Sequence, residues 1–367
     1  MSAATHRALV RLPADARGRT RVEVAEVPTP RLGPGDVLLA PVTAGICGTD
    51  WQILRGLRAD PSRVLGHEGV ARVVEPGGTG LRAGSLVTVN PTHPRDPSFL
   101  LGHNLPGLWA ERTRVPANAV RAGLVLPVPE GADRPEAAAL AEPLASVLYG
   151  LEIALGVARP AAVVVWGDGI VGRLALEAWR RRLPGTPGLL VGHGADAVDP
   201  RAPGLPERLA ELPAPVCALI ATPRTGTLEG LGAVDRHVRG TLLVDVHAGL
   251  PSGPVPLSAG DIDVAALRAD NCGGEPTPPR VHRFDRPAGP LILYGHRGVA
   301  NRHLRQAFDV LLARPPHEPR GGGVLTHEVD LPGAADLVNS VLDTDRRVAD
   351  GRRVLKTAIR TGVGDDG

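Results

Sequence analysis

Residues 161–172 read A-A-V-V-V-W-G-D-G-I-V-G, and after Arg173 comes the helical pattern L-A-L-E-A-W-R-R-R-L. A continuous apolar run, a glycine cluster and then a helix leave few folds open. Gly167 permits a tight turn, Gly169 lets the backbone approach a pyrophosphate, and Gly172 lets the helix pack on the strand. The phosphates would meet the positive end of the helix dipole. The motif is weak in isolation. In this setting Gly167, Asp168, Gly169, Ile170, Val171 and Gly172 are expected to hold a dinucleotide.

Further buried strands are expected at 188–191, 217–221, 241–246 and 291–294, separated by turns or helical segments. Alternating strands and helices imply a parallel, doubly wound sheet. The chain before it differs. Short β-rich runs at 7–12, 36–42, 69–75 and 81–89 suit an irregular barrel or sandwich. Residues 134–156 are Ala- and Leu-rich with helical spacing, and Pro143 fits the start of a second helix better than the inside of one. Helices are expected in the tail at 301–312 and 334–342, with a closing strand R-V-L-K-T-A-I.

At 367 residues the chain exceeds a usual single core, so two domains are expected, 1–146 with 301–367 returning to it, and 147–300. A net charge of +2 argues against nucleic-acid or membrane-surface partners held by bulk charge. Lys356 is the only lysine, so the cationic charge is nearly all arginine. No apolar run reads as long enough to span a bilayer, and the N-terminus lacks a signal-peptide stretch. Cys47, Cys217 and Cys272 are too few and scattered for a disulfide framework. A cytoplasmic protein with reduced thiols is expected.

An NAD site usually has an acid at the end of its second strand to hold the ribose hydroxyls. Here Gly192 and His193 occupy that point, with Asp196 late. Loss of the acid removes a repulsion against a 2′-phosphate and favours NADP over NAD.

Cys47 lies in A-G-I-C-G-T-D-W, where a thiol could be packing, a nucleophile or a metal ligand. L-G-H-E-G places His67 and Glu68 downstream, and Glu142 lies in A-E-P-L-A-S-V. Cys, His and carboxylate are the ligand types zinc takes. Together with G-D-G-I-V-G and V-L-K-T-A-I, these stretches closely resemble the medium-chain zinc-dependent alcohol dehydrogenases over nearly the whole length. The glutamate-proline form at 142–143 and G-V-A-N-R-H-L at 298–304 resemble the polyol, sorbitol and glucose dehydrogenase branch. The resemblance implies an α/β protein with a GroES-like irregular β-barrel and a Rossmann cofactor domain. It makes Cys47 and His67 zinc ligands, with Glu68 and Glu142 coordinating directly or through water. Thr49 matches the hydroxyl that bonds the substrate oxygen, Asp50 the acid that orients the zinc histidine, and Asn301 a residue near the nicotinamide or its ribose.

Two departures from the family pattern stand out. Residues 91–104 carry none of the four cysteines that bind a structural zinc in many members, so a single catalytic zinc and no second metal are expected. His93 and His103 in this stretch read as loop residues. Gln52 stands where the proton relay often uses histidine. The expected partners are a polyol-like small molecule (a cyclitol, an aminocyclitol or a sugar) and further copies in a homodimer or homotetramer. The rival readings are a zinc-free reductase of enones or quinones with the same fold, and an inactive cofactor-binding relative.

Overall fold

The structure, a computed structural model, describes residues 4–313, 323–344 and 346–362. The chain divides into two compact units, Met1–Glu142 with Leu304–Gly367, and Pro143–His303.

In the first unit, seven strands among the described residues form a sheet in the order Leu325–Asp330, Lys356–Arg360, Val37–Ile46, Gly69–Glu75, Leu86–Val89 and Val125–Pro127, with Thr113–Val115 paired to Val37–Ile46. Thr5–Arg11 and Val22–Pro28 form a separate antiparallel pair. The register slips twice between Val37–Ile46 and Gly69–Glu75, at Leu38/Leu39 and at Pro41/Thr43. Such irregularities bend a strand and re-aim its side chains. Trp109, Leu39, Leu65, Leu101 and Phe99 fill the core.

The second unit holds six strands among the described residues, in the order His282–Phe284, Leu291–Tyr294, Leu242–Val246, Val216–Ile220, Ala162–Trp166, Gly188–Val191. All pairings are parallel except that of the His282–Phe284 edge. The strands are buried on both faces, which is why they read as unbroken apolar runs. Gly188–Val191 lies on one side of Ala162–Trp166 and Val216–Ile220 on the other. The chain thus reverses its winding beside Gly167, where ligands bind doubly wound sheets.

Two expectations need correction. Pro143 lies inside one continuous helix, Pro135–Val157. A proline there forfeits a backbone hydrogen bond and costs about 3 kcal/mol in a helix interior. The buried residues on either side, Ala137–Leu140 and Leu144–Ala145, hold the helix through it. That helix is also, by length and composition, apolar enough to cross a membrane, contrary to the sequence reading. Burial inside the protein of 67% of its most apolar window accounts for the apolarity as core packing.

Candidate active site

Cys47 follows the Val37–Ile46 strand and caps the short helix Gly48–Leu54. Its amide donates to Asp50 Oδ2 at 2.8 Å, which pins the thiol's backbone to the first helical turn. His67 and Glu68 precede the Gly69–Glu75 strand, the antiparallel partner of Val37–Ile46. Neighbouring strands therefore deliver thiol and imidazole to one place. Gly45 is required there. A Cβ on it would stand 2.7 Å from Glu68 Oε2 and 3.0 Å from Lys356 Nζ.

One ligand atom from each of Cys47, His67 and Glu68 lies within 4.8 Å of the other two. Glu68 Oε2 accepts from Lys356 Nζ in a fully buried pair, while Oε1 is buried without a partner. His67 Nδ1 and Asp50 Oδ1 face each other at 3.7 Å, too long for a hydrogen bond. Cys47 Sγ donates to Thr49 Oγ1 at 3.8 Å. Glu142 stays outside the three-donor group but is close enough for the charges of Glu68 and His67 to act on it.

The electrostatics are those of an acidic pocket short of positive charge. Burial, then the charge of Glu68, raises the Cys47 thiol, with His67 and Lys356 only partly offsetting them. Burial also holds Asp50 at about 6. Burial and Glu68 push Glu142 up to about 7. Burial opposes charge on His67, but Cys47, Asp50 and Glu68 outweigh it and carry the imidazole to about 10. A divalent cation would relieve these groups together.

Sequence reasoning missed two neighbours of this site. Lys356, fully buried, supplies the cation against Glu68. The available signal was a lone lysine inside an apolar strand, the only one in the chain. His103 lies in a turn, as expected, but is buried there, with its ring 4.8 Å from that of His67 and its Nδ1 3.5 Å from Asp60 Oδ1. Nothing local marked it. His93 does behave as a loop residue, its Nδ1 accepting from the amides of Arg95 and Asp96.

In the second unit the glycine loop separates into three roles. Gly167 has φ +121, and a Cβ there would meet Ala221 O at 2.4 Å. At Gly172 a Cβ would meet Gly167 O at 1.8 Å, so helix and strand approach as closely as backbone allows. Gly169 caps the helix Ile170–Arg182 and has open space where a side chain would stand. That is a cradle a pyrophosphate can enter. Asp168 is buried with its side chain against Gly192, and its carbonyl accepts from Arg173 Nε at 3.0 Å. Arg173 also grips Asp196 through two bonds of 2.8 and 2.6 Å. His193 is exposed, and Asn301 opens the helix Asn301–Leu312.

Comparison with known proteins matches residues 33–129 to the alcohol dehydrogenase GroES-like domain. The glucose 1-dehydrogenase of Thermoproteus tenax is 30% identical over 287 residues, 62% of this chain and 81% of that one. The chain belongs to the medium-chain zinc-dependent alcohol dehydrogenases. The L-threonine 3-dehydrogenase of Pyrococcus abyssi is 30% identical over 176 residues, 42% of this chain and 48% of that one. In fold, a proposed zinc-binding dehydrogenase from Sinorhizobium meliloti 1021, solved with NADP, superposes with a TM-score of 0.67 at 22% identity, covering 97% of this chain and 99% of the other. The dehydrogenase is thus an NAD(P)-linked alcohol oxidoreductase with a GroES-like unit and a Rossmann unit.

Proposed function

We propose that this dehydrogenase interconverts a secondary alcohol and a ketone on a polyol-like substrate (a cyclitol, an aminocyclitol or a sugar), using one catalytic zinc in its first unit. The observation that carries the reading is the triad of half-buried Cys47 with buried His67 and Glu68, whose donor atoms lie inside 4.8 Å and whose Glu68 Oε1 is left unpartnered. Thiolate, imidazole and carboxylate are a donor set zinc accepts. Bound zinc supplies Lewis acidity that favours the alkoxide form of an alcohol, from which hydride leaves readily.

The protein's own side chains do the rest. Cys47 and His67 hold the ion, with Glu142 or Glu68 as the carboxylate. Lys356 already balances Glu68, which leaves Glu142, raised to about 7, as the acid with most to gain from a cation. Thr49, two residues from the thiol, passes the substrate proton on. Asp50, 3.7 Å from Nδ1, acts on the His67 ring through its charge. The 91–104 lobe has no cysteine, His93 is taken by backbone amides and His103 faces Asp60, which supports the absence of a structural zinc there.

The cofactor proposed is NADP in preference to NAD. The second strand ends at Val191, and Gly192 and His193 stand where an acid would repel a 2′-phosphate. The later Asp196 carboxylate is held by Arg173 through two bonds. His193→Asp is expected to shift preference toward NAD. Reduced thiols at Cys47, Cys217 and Cys272 support a cytoplasmic setting, and two or four copies per assembly complete the reading.

The test is a screen of polyols, aminocyclitols, sugars, enones and quinones with each nicotinamide, alongside zinc analysis. Turnover of polyols by a zinc-loaded enzyme supports the proposal. Enone reduction by zinc-free protein, or cofactor binding without any turnover, would replace it with one of the rival readings.

A further inference from the structure

The second unit gathers a second group of donors, a buried Asp245 and His296 with a half-buried His247. Asp245 lies in the strand Leu242–Val246, His247 just past its end, and His296 just past the neighbouring parallel strand Leu291–Tyr294. The register sets Asp245 against Tyr294, so the two strands release their histidines side by side, with ring centroids 5.3 Å apart. One ligand atom from each of Asp245, His247 and His296 lies within 4.8 Å of the other two.

Each donor is held ready. His296 Nδ1 donates to Gly298 O at 3.0 Å, leaving Nε2 buried with its lone pair free. His247 Nε2 bonds Ser146 Oγ at 3.2 Å, leaving Nδ1 buried and unpartnered. A second bond of this kind is what fixes tautomer and orientation in metal-bound histidines. Asp245 is 1% exposed, and neither carboxylate oxygen has a partner. Buried carboxylates without hydrogen bonds are costly, and native structures rarely leave them so.

We propose that Asp245, His247 and His296 form a second metal site, which takes zinc or another late first-row divalent ion. Two imidazoles and one carboxylate suit such ions and disfavour calcium or magnesium, which prefer all-oxygen shells. The site departs from the expectation of one metal per chain. It is the weaker of the two, because it lacks a thiolate and because Arg268, which donates to Val246 O and His247 O at 3.0 Å each, adds positive charge nearby.

Cobalt(II) tests the proposal, because thiolate ligation gives an intense near-ultraviolet charge-transfer band that nitrogen and oxygen ligands do not. The full chain should bind two ions, one with that band. Cys47→Ser should bind one, without the band and with the visible d–d bands retained. Adding His296→Gln, or separately His247→Gln, to that background should weaken the remaining ion by 10-fold or more. Should those variants misfold, cobalt protection of Asp245–His247 amides from hydrogen exchange in Cys47→Ser gives the same reading. A Cys47→Ser chain that binds no cobalt or zinc, or one whose bound ion survives loss of both histidines, overturns the second site. The charge-transfer band in the parent reports the first site independently.

Discussion

In the first unit the donors arrive in neighbouring pairs: Cys47 caps the helix that carries Asp50, and His67 adjoins Glu68 on one turn. In the second, Asp245 and His247 leave one strand while His296 leaves the next, and only the sheet register makes them a group. The first cluster also has a buried cation of its own, Lys356 against Glu68, whereas Asp245 has both oxygens free. A cluster whose supporting contacts are local in sequence leaves a motif. One assembled by strand register leaves none, however well its histidines are anchored.

The sharpest way to test the first half of this comparison is Thr49→Val. Losing a positioned proton-transfer group typically costs about 10²–10⁴-fold in rate. The expected result is that loss in turnover with zinc content unchanged. Full activity would remove the hydroxyl from the relay.

Asp50→Asn keeps the shape but weakens the hold on His67. Its cost should appear as about a 10- to 100-fold loss of metal affinity, the usual scale for a group that orients a ligand. Measured by competition with a chelator, the loss should be confined to the thiolate-bound ion. An equal loss at both ions would mean the clusters are not separate.

Gly150→Ala probes the other cluster. The new Cβ would stand 2.0 Å from Asp245 Oδ2 and 3.1 Å from its Cγ, so the carboxylate must move. Overpacking of this sort costs about 1–3 kcal/mol. Denaturant unfolding should register it, with the thiolate–cobalt band untouched. Unchanged stability would show that Asp245 has room to swing aside.

The smallest effect is in pH. Burial raises Glu142 and Asp245 each to about 7, with Glu68 adding to the first and Arg268 partly offsetting the second. A carboxyl raised above its unfolded value contributes stability that is complete below the unfolded pKa, near 4, and is lost as pH rises through 7. In metal-free protein, Glu142→Gln and Asp245→Asn should therefore each flatten a decline in thermal midpoint between pH 4 and 7. Saturating zinc should do the same to the parent. A parent chain whose midpoint is unmoved by either substitution across that range would show that these acids ionise freely in the fold.

Much of this was legible in the chain itself. The strand at 162–166, the glycine loop and the helix after it were readable because backbone sterics demand glycine where φ is positive and where helix meets strand. Cys47, His67 and Glu68 were readable as zinc ligands through the resemblance that A-G-I-C-G-T-D and L-G-H-E-G carry. The continuity of Pro135–Val157 through Pro143 was not, because helix propensity speaks for single residues and burial on both sides outweighed it.

Local sequence determined which segments became strands, where a dinucleotide loop forms, and that a thiol, an imidazole and carboxylates were available for a metal. Tertiary structure alone decided that Lys356 reaches Glu68 across the chain, that the His103 ring packs at a tilt beside His67, and that Asp245 and two histidines from separate strand ends converge. The reason is physical. Turns and helix starts are set by the conformational limits of adjacent residues, whereas these pairings depend on strand order and register, which are fixed by burying whole faces at once.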